Sequence, residues 1–373
     1  WDFVLDPVWR PTPDADPTTA PPLVWQAWRV PAMPWDTSSL VGPAGIVAGA
    51  GGSQAQQARF GADGALYCVR DDDGFANVYR NDEPVVREPF EHAEATWGPG
   101  QRSFAVSPDA SQLAYHRNEG GFGRLVVVDL ASGTHRDVAR GVHAQLRWVG
   151  RRLTALRSGA RTPSQVVAYD TDSWERTVLA VGPAAEWLAH DHELVEPDLV
   201  TAIADDGLTI PARLYRPPSR DDRDEPRRLI CWVHGGPTDQ WAITFRSRIA
   251  YWVSRGWHVL VPDHRGSTGH GREFQQALNG RWGDADTDDV ATAIRHVQSI
   301  AGIAPTRTVM MGGSAGGYVA LRVVERYPEL VAGAAVVYPV SDPTSLFAAT
   351  HRFEAHYDHS LVGPRTRPVD PEG

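Results

Sequence analysis

The run Gly312-Gly313-Ser314-Ala315-Gly316-Gly317-Tyr318 constrains the fold of this chain more than any other stretch. The apolar Thr308-Val309-Met310-Met311 leads into it, and a helix-forming stretch, Val319 to Arg326, follows. Strand, tight turn and helix in that order, with glycine two residues to either side of a serine, is the G-x-S-x-G pattern. The serine in such a turn holds a strained backbone, and a side chain at either flanking glycine would strike the strand or the helix. The strain lifts the hydroxyl out of the sheet, which makes Ser314 the candidate nucleophile. The plainer alternative is a structural glycine turn, but the strand and helix on either side are the context the pattern demands.

A second motif supports the first from a distance. Leu229-Ile230-Cys231-Trp232-Val233 reads as a fully buried strand and runs directly into His234-Gly235-Gly236-Pro237. In the α/β-hydrolase arrangement, the loop after this strand gives one backbone N–H to an oxyanion hole, and the residue after the nucleophile gives the other. Those donors would be Gly236 and Ala315. Glycine suits the loop because a substrate carbonyl must approach bare backbone. His234 is read as shaping the loop, not as a base.

The neighbouring segments keep the order such a sheet requires. Trp257 to Pro262 is another apolar run, preceded by a helix over about 244–255 that stops at Gly256. Asp286 or Thr287 can cap a further helix, in which Val290, Ile294, Val297 and Ala301 recur at helical spacing before Gly302. Ala334 to Tyr338 is a strand after the Ser314 helix, and Thr201–Ile203 with Leu208–Tyr215 form an opening antiparallel hairpin. Apolar strands alternating with helices imply parallel pairing through right-handed crossovers. Five strands are expected up to Ser314.

Residues 1–192 read differently. Trp97 to Phe104, Gln112–His116, Leu125–Asp129, Leu153–Leu156 and Gln165–Asp170 are short strand-like runs between turns, without a helix among them. Phe60-Gly61-Ala62-Asp63-Gly64-Ala65-Leu66-Tyr67 resembles the phrase from Val106 to Tyr115, and Leu153 falls at a similar place in a third unit. Leu66 to Leu113 is 47 residues and Leu113 to Leu153 is 40, near the length of a four-stranded propeller blade. About four such units fit, with a β-sandwich as the competing fold. Nine of the 14 tryptophans precede residue 190, and packing between sheets is their expected role.

Taken together, the blade-like first half, His234-Gly235-Gly236-Pro237, the run Asp263-His264-Arg265-Gly266-Ser267-Thr268-Gly269-His270-Gly271, Asn279-Gly280-Arg281-Trp282-Gly283 and the Ser314 turn resemble the prolyl oligopeptidase family. Within it the chain is most similar to the acylaminoacyl-peptidase and dipeptidyl-peptidase-like branch. The resemblance covers essentially the whole chain and is carried mainly by its second half. It implies a partial all-β propeller over 1–192, an α/β-hydrolase domain over 193–373, and a serine peptidase cutting short peptides through an acyl-enzyme, with the propeller gating access. An esterase-type hydrolase and a catalytically inactive propeller-hydrolase scaffold are the alternatives.

One departure is large. In an α/β-hydrolase the acid and then the histidine follow the serine on loops after two further strands, yet only 59 residues follow Ser314 and those from about 351 are polar. The triad Asp and His are therefore expected outside this chain, which reads as an internal fragment, inactive by itself; a processed two-chain enzyme is the alternative. His351, His356 and His359 are expected at the surface or lining a pocket, not acting as base. Their spacing matches no metal pattern, and Gly266, Gly269 and Gly271 lack the order of a nucleotide loop. No cofactor and no metal are expected.

Composition bounds the partners. A formal charge of −10 argues against nucleic acid, which selects a basic surface. Two cysteines exclude a disulfide framework, and with Cys231 in a buried strand a reducing cytoplasm is expected. No run has the length of a transmembrane helix, so no membrane partner is expected. Short peptides are the expected ligands, and homo-oligomerisation stays open. Asp221 to Arg228 is a charged hairpin loop, and Pro11 to Pro22 another loop.

Overall fold

Glycine- and aspartate-rich turns between short apolar runs leave the first half of this chain little choice but hairpins. In a computed structural model, which describes residues 1–10, 23–218 and 226–363, they form four successive four-stranded sheets over 3–48, 55–84, 104–140 and 142–181. Every neighbouring strand pair within them is antiparallel. Leu66, Leu113 and Leu153 each lie at the start of the second strand of a sheet, paired with Phe60, Val106 and Trp148. The repeating phrase is thus the turn between the first two strands of the second, third and fourth blades.

Where the apolar side chains meet separates propeller from sandwich. Val24 and Leu40 of the first sheet pack on Cys68 and Tyr79 of the second. Val69 and Val78 of the second pack on Leu113 and Val126 of the third, and Leu125 and Val127 of the third on Leu153 and Val167 of the fourth. Each inner sheet buries both faces, one against each neighbour, whereas a sandwich has one core between two sheets. The architecture is four blades of a β-propeller followed by an α/β-hydrolase sheet. Among the described residues no helix interrupts 1–181. One expected strand is absent: 97–103 is irregular and pairing starts at Phe104. The Trp97 side chain instead reaches across to the second half of the chain.

The hydrolase sheet contains β1 (Asp198–Ile203), β2 (Thr209–Tyr215), β3 (Arg228–Val233), β4 (Trp257–Pro262), β5 (Thr308–Ser314) and β6 (Gly333–Pro339), in the order β1-β2-β4-β3-β5-β6. The β1 and β2 pair and the β2 and β4 pair are antiparallel; the rest are parallel. Ser314 ends the fifth strand. The charged run before β3 lies outside the described residues over 219–225, as does the Pro11 to Pro22 loop.

Helix α1 (Ser247–Ser254) packs on one face of the sheet; α3 (Ala285–Ala301) and α4 (Ala315–Arg326) pack on the other, with α2 (Arg272–Gln276) between β4 and α3 in sequence. Along β3 the side chains alternate between these layers. Leu229, Cys231 and Val233 meet α3 and α4, while Ile230 and Trp232 meet α1. That two-sided burial is why β3 is an unbroken apolar run. Helix α1 is shorter than the 244–255 expected, because Trp241 to Arg246 form an irregular loop. Helix α3 starts earlier than expected, at Ala285, and neither Asp286 nor Thr287 is its N-cap. Asp286 instead lies in the first turn, where its carboxylate accepts the Gly283 N–H at 2.7 Å. After β6 come α5 (Pro343–Ala349), capped by Asp342, and α6 (Asp358–Val362).

The two halves are joined by polar contacts as well as by an apolar seam containing Met33, Trp35, Leu278 and Trp282. From α2, Arg272 reaches Asp71 at 2.7 Å and the Gly52 carbonyl at 2.9 Å, and the blade residue Asn118 donates to Gln240 at 2.7 Å.

Candidate functional site

Ser314 holds φ 54°, ψ −128°, a backbone that L-residues avoid, at the junction of β5 and α4. Steric fit explains the flanking glycines. A Cβ on Gly316 would stand 2.3 Å from the Val233 carbonyl oxygen and 2.4 Å from that of His234. One on Gly312 would stand 2.2 Å from the Gly316 oxygen, and one on Gly317 2.8 Å from Pro339. The turn therefore closes only with glycine at these places. The same closeness brings the two sequence motifs together: a Cβ at Gly235 would meet the Ser314 Cβ at 3.5 Å.

Gly236 takes φ +122°, and a Cβ there would stand 2.8 Å from the Thr238 nitrogen. The loop after β3 folds back on itself at this point. Glycine is thus required by the loop's own backbone, not only by the approach of a ligand. Ala315 is buried at the start of α4, where its N–H is one of the amides of a helix N-terminus.

His234 is fully buried and its ring stacks on His264 at 4.7 Å. Its Nδ1 donates to the Gly235 carbonyl at 2.8 Å, and Nε2 lies 2.8 Å from the Ser267 hydroxyl. Burial, then the neighbouring His264, push its pKa down to about 3, so the ring is neutral and occupied in shaping the loop. His351 is exposed and pairs with Glu354 at 3.4 Å, and His359 is exposed beside His356. Among the described residues, none hydrogen-bonds to the Ser314 hydroxyl.

Ser314 opens onto a cavity of about 1180 Å³ between the fourth blade and the hydrolase sheet. Trp97 and Trp187 from the first half line it with Trp232, Trp241, Trp252 and Tyr338 from the second, as do Asp239 and Arg246. Two of the early tryptophans thus face the cavity instead of packing between sheets. The Asp239 carboxyl rises to about 6, chiefly through burial, with a Gln240 hydrogen bond opposing and the Glu94 charge adding. Arg246 lies 4.3 Å over the Trp241 ring, and among the described residues no carboxylate or carbonyl accepts from its guanidinium. A cavity of this size, with several aromatic side chains and a few polar groups around a strained serine, suits an extended organic substrate. No group of three or more His, Cys, Asp or Glu side chains that could hold a metal occurs among the described residues.

The surroundings of the loop after β3 were not apparent in the sequence. Asp263 sits at the end of β4, wholly buried, and accepts both terminal nitrogens of Arg213, Gln240 Nε2 at 2.7 Å and His270 Nε2 at 2.7 Å. Gln240, Trp97, Asn118 and Tyr357 are single residues in unremarkable local patterns, and only Asp263 and His270 belonged to a motif.

Residues 243–367 match the prolyl oligopeptidase family model. The acylamino-acid-releasing enzyme of Arabidopsis thaliana is 32% identical over 137 residues, covering 35% of this chain and 18% of that protein. Among solved structures, a puromycin hydrolase superposes with a TM-score of 0.87 at 29% identity, covering 97% of this chain and 56% of its own. A puromycin-hydrolyzing peptidase of Mycobacterium tuberculosis superposes at 0.85 with 26% identity, covering 97% of this chain and 57% of its own. The chain thus spans little more than half the length of these structures.

Proposed function

We propose that this chain, which belongs to the prolyl oligopeptidase family, carries the nucleophile and the oxyanion donors of a serine peptidase acting on short peptides and aminoacyl amides. The observation that carries the reading is Ser314 in its strained turn, set against the Gly235-Gly236 loop and facing a cavity walled by both halves. In this reading Ser314 Oγ bonds to the scissile carbonyl carbon, and the carbonyl electron pair moves onto oxygen, where the Gly236 and Ala315 N–H groups hold it. Collapse expels the amine, and water hydrolyses the acyl-enzyme. The base that takes the serine proton and hands it to the amine lies outside the described residues.

Similarity supports the substrate class: two structures above 25% identity are named for hydrolysis of puromycin, and a curated relative for release of acylamino acids. A propeller wall on the cavity supports gating by size. The buried free thiols Cys68 and Cys231 support a reducing compartment.

A fluorophosphonate probe on the protein expressed from its natural reading frame tests the nucleophile. Ser314 should be labelled, Ser314→Ala should not, and peptidase turnover should fall on the order of 10⁶ in the variant, as when a serine hydrolase loses its nucleophile. Full labelling of Ser314→Ala overturns the assignment. The inactive-scaffold reading, favoured by the lack of a described partner for the Ser314 hydroxyl, requires that the unaltered protein stay unlabelled too.

A further inference from the structure

We infer that the first half of the chain sets the catalytic geometry as well as access, because its Trp97 positions the loop that carries the Gly236 N–H. This rests on the peptidase reading above. The loop after β3 belongs to the hydrolase half, where the Thr268 N–H donates to the Asp239 carbonyl at 3.1 Å, yet two of its hydrogen bonds come from the blades. Trp97 Nε1 donates to the Thr238 carbonyl at 2.8 Å. From the opposite end of the chain, the Tyr357 hydroxyl bonds the Thr238 hydroxyl and accepts the Thr238 N–H at 3.2 Å. Two residues on, Gln240 is held between Asn118 of the third blade and Asp263, at 2.7 Å on each side.

These contacts matter to the reaction because of the tight backbone around Gly236. Its Cα lies so near Thr238 that a Cβ would stand 2.8 Å from the Thr238 nitrogen and 3.1 Å from the Asp239 side chain. Only Pro237, whose ring fixes its own φ, separates Thr238 from Gly236, so a displacement of Thr238 is passed to the Gly236 backbone. Thr238, Tyr357 and Gln240 are all buried, so no water replaces a lost partner cheaply. Trp97 is fixed in turn by a tilted ring contact with Trp35 at 4.4 Å and an edge-on contact with Tyr357 at 6.0 Å. An oxyanion donor acts only when it is aimed where charge develops, and misplacement of about 1 Å can cost about 10²-fold in rate. Trp97 and Tyr357 are therefore positioning residues, acting through Thr238.

Trp97→Phe keeps an aromatic ring on Trp35 and removes the N–H; Tyr357→Phe removes the hydroxyl from the other side. Both are made in the protein from its natural reading frame. The probes are a peptide aldehyde, whose adduct with Ser314 places an oxygen where the oxyanion forms, and the matching peptide alcohol, which forms no adduct. Each variant should lower kcat about tenfold with KM within about twofold, and weaken the aldehyde about tenfold while alcohol binding is unchanged. A role in packing alone would lower the melting temperature and leave the aldehyde-to-alcohol ratio as it was. An unchanged ratio in both variants overturns the positioning role while leaving Ser314 as nucleophile. Aldehyde binding that is absent, or undiminished in Ser314→Ala, overturns the peptidase reading and this inference with it.

Discussion

Asp263→Asn should be the most damaging isosteric change in the hydrolase half. Asp263 and Arg213 are 0% and 1% exposed, so neither charge has water to fall back on. The oxygen Oδ2 accepts from Arg213, Gln240 and His270, while Oδ1 accepts the second Arg213 nitrogen. An asparagine can keep its oxygen in the Oδ2 place, but its NH₂ then faces the other Arg213 nitrogen, donor against donor. The guanidinium is also left without a counter-charge. Breaking a buried pair in this way costs about 3–5 kcal/mol, about a fifth or more of the stability of an ordinary domain. Burial by itself would raise the Asp263 pKa, but the Arg213 charge and the hydrogen bonds from His270 and Arg213 hold it well below the usual carboxylate range. Its contribution is thus complete above about pH 4 and is lost only as pH falls through the depressed value. Urea denaturation followed by far-UV circular dichroism at pH 5, 7 and 9 should give the same loss at each pH. A loss below about 1 kcal/mol, or one that grows with pH, would refute the reasoning.

Two further outcomes follow from packing and burial. Gly316→Ala places a methyl 2.3 Å and 2.4 Å from two backbone oxygens, so β3 and its loop must move by about 1 Å; a destabilisation of about 1–3 kcal/mol with loss of fluorophosphonate labelling is expected. Gly302→Ala, with nothing within 4 Å but φ +63°, should cost about 1 kcal/mol and leave labelling intact, and equal behaviour of the two would count against the steric account. Glu91 is buried, accepts the Ala76 N–H at 2.8 Å and the Gly271 N–H at 3.1 Å, and burial above all pushes it up to about 7. Stability is then present below about pH 4.5 and lost as pH rises through 7, so Glu91→Gln should gain on the parent by at most about 3 kcal/mol between pH 4.5 and 8 in thermal melts. A gain in the opposite direction would show that the anion is the stabilised form.

What was legible in the sequence was local and periodic. The alternation of Leu229, Cys231 and Val233 with Ile230 and Trp232 needs only burial on both faces of a strand, so β3 could be read directly. The crowding of Gly312 and Gly316 is a property of the strand-turn-helix junction itself, so the glycine spacing alone marks Ser314. Leu66, Leu113 and Leu153 recur because each blade repeats one supersecondary unit. Boundaries that depend on single capping groups were less legible. Asp286 looks like a helix cap but bonds to Gly283 from within the first turn, and 97–103 looks like a strand but is irregular.

Tertiary structure decided whatever joins residues far apart in the chain. Trp97 and Thr238 are 141 positions apart, Asn118 and Gln240 are 122, and Tyr357 and Thr238 are 119. No local period encodes such pairs, because each is one hydrogen bond between single side chains whose meeting depends on how four blades and a sheet dock. The charges of Asp263 and Arg213 lie 50 positions apart, and their protonation depends on a burial that forms only when β2 and β4 pair. The chain therefore announced the strained turn at Ser314 through local sterics, while the placing of the loop beside it was settled by long-range docking.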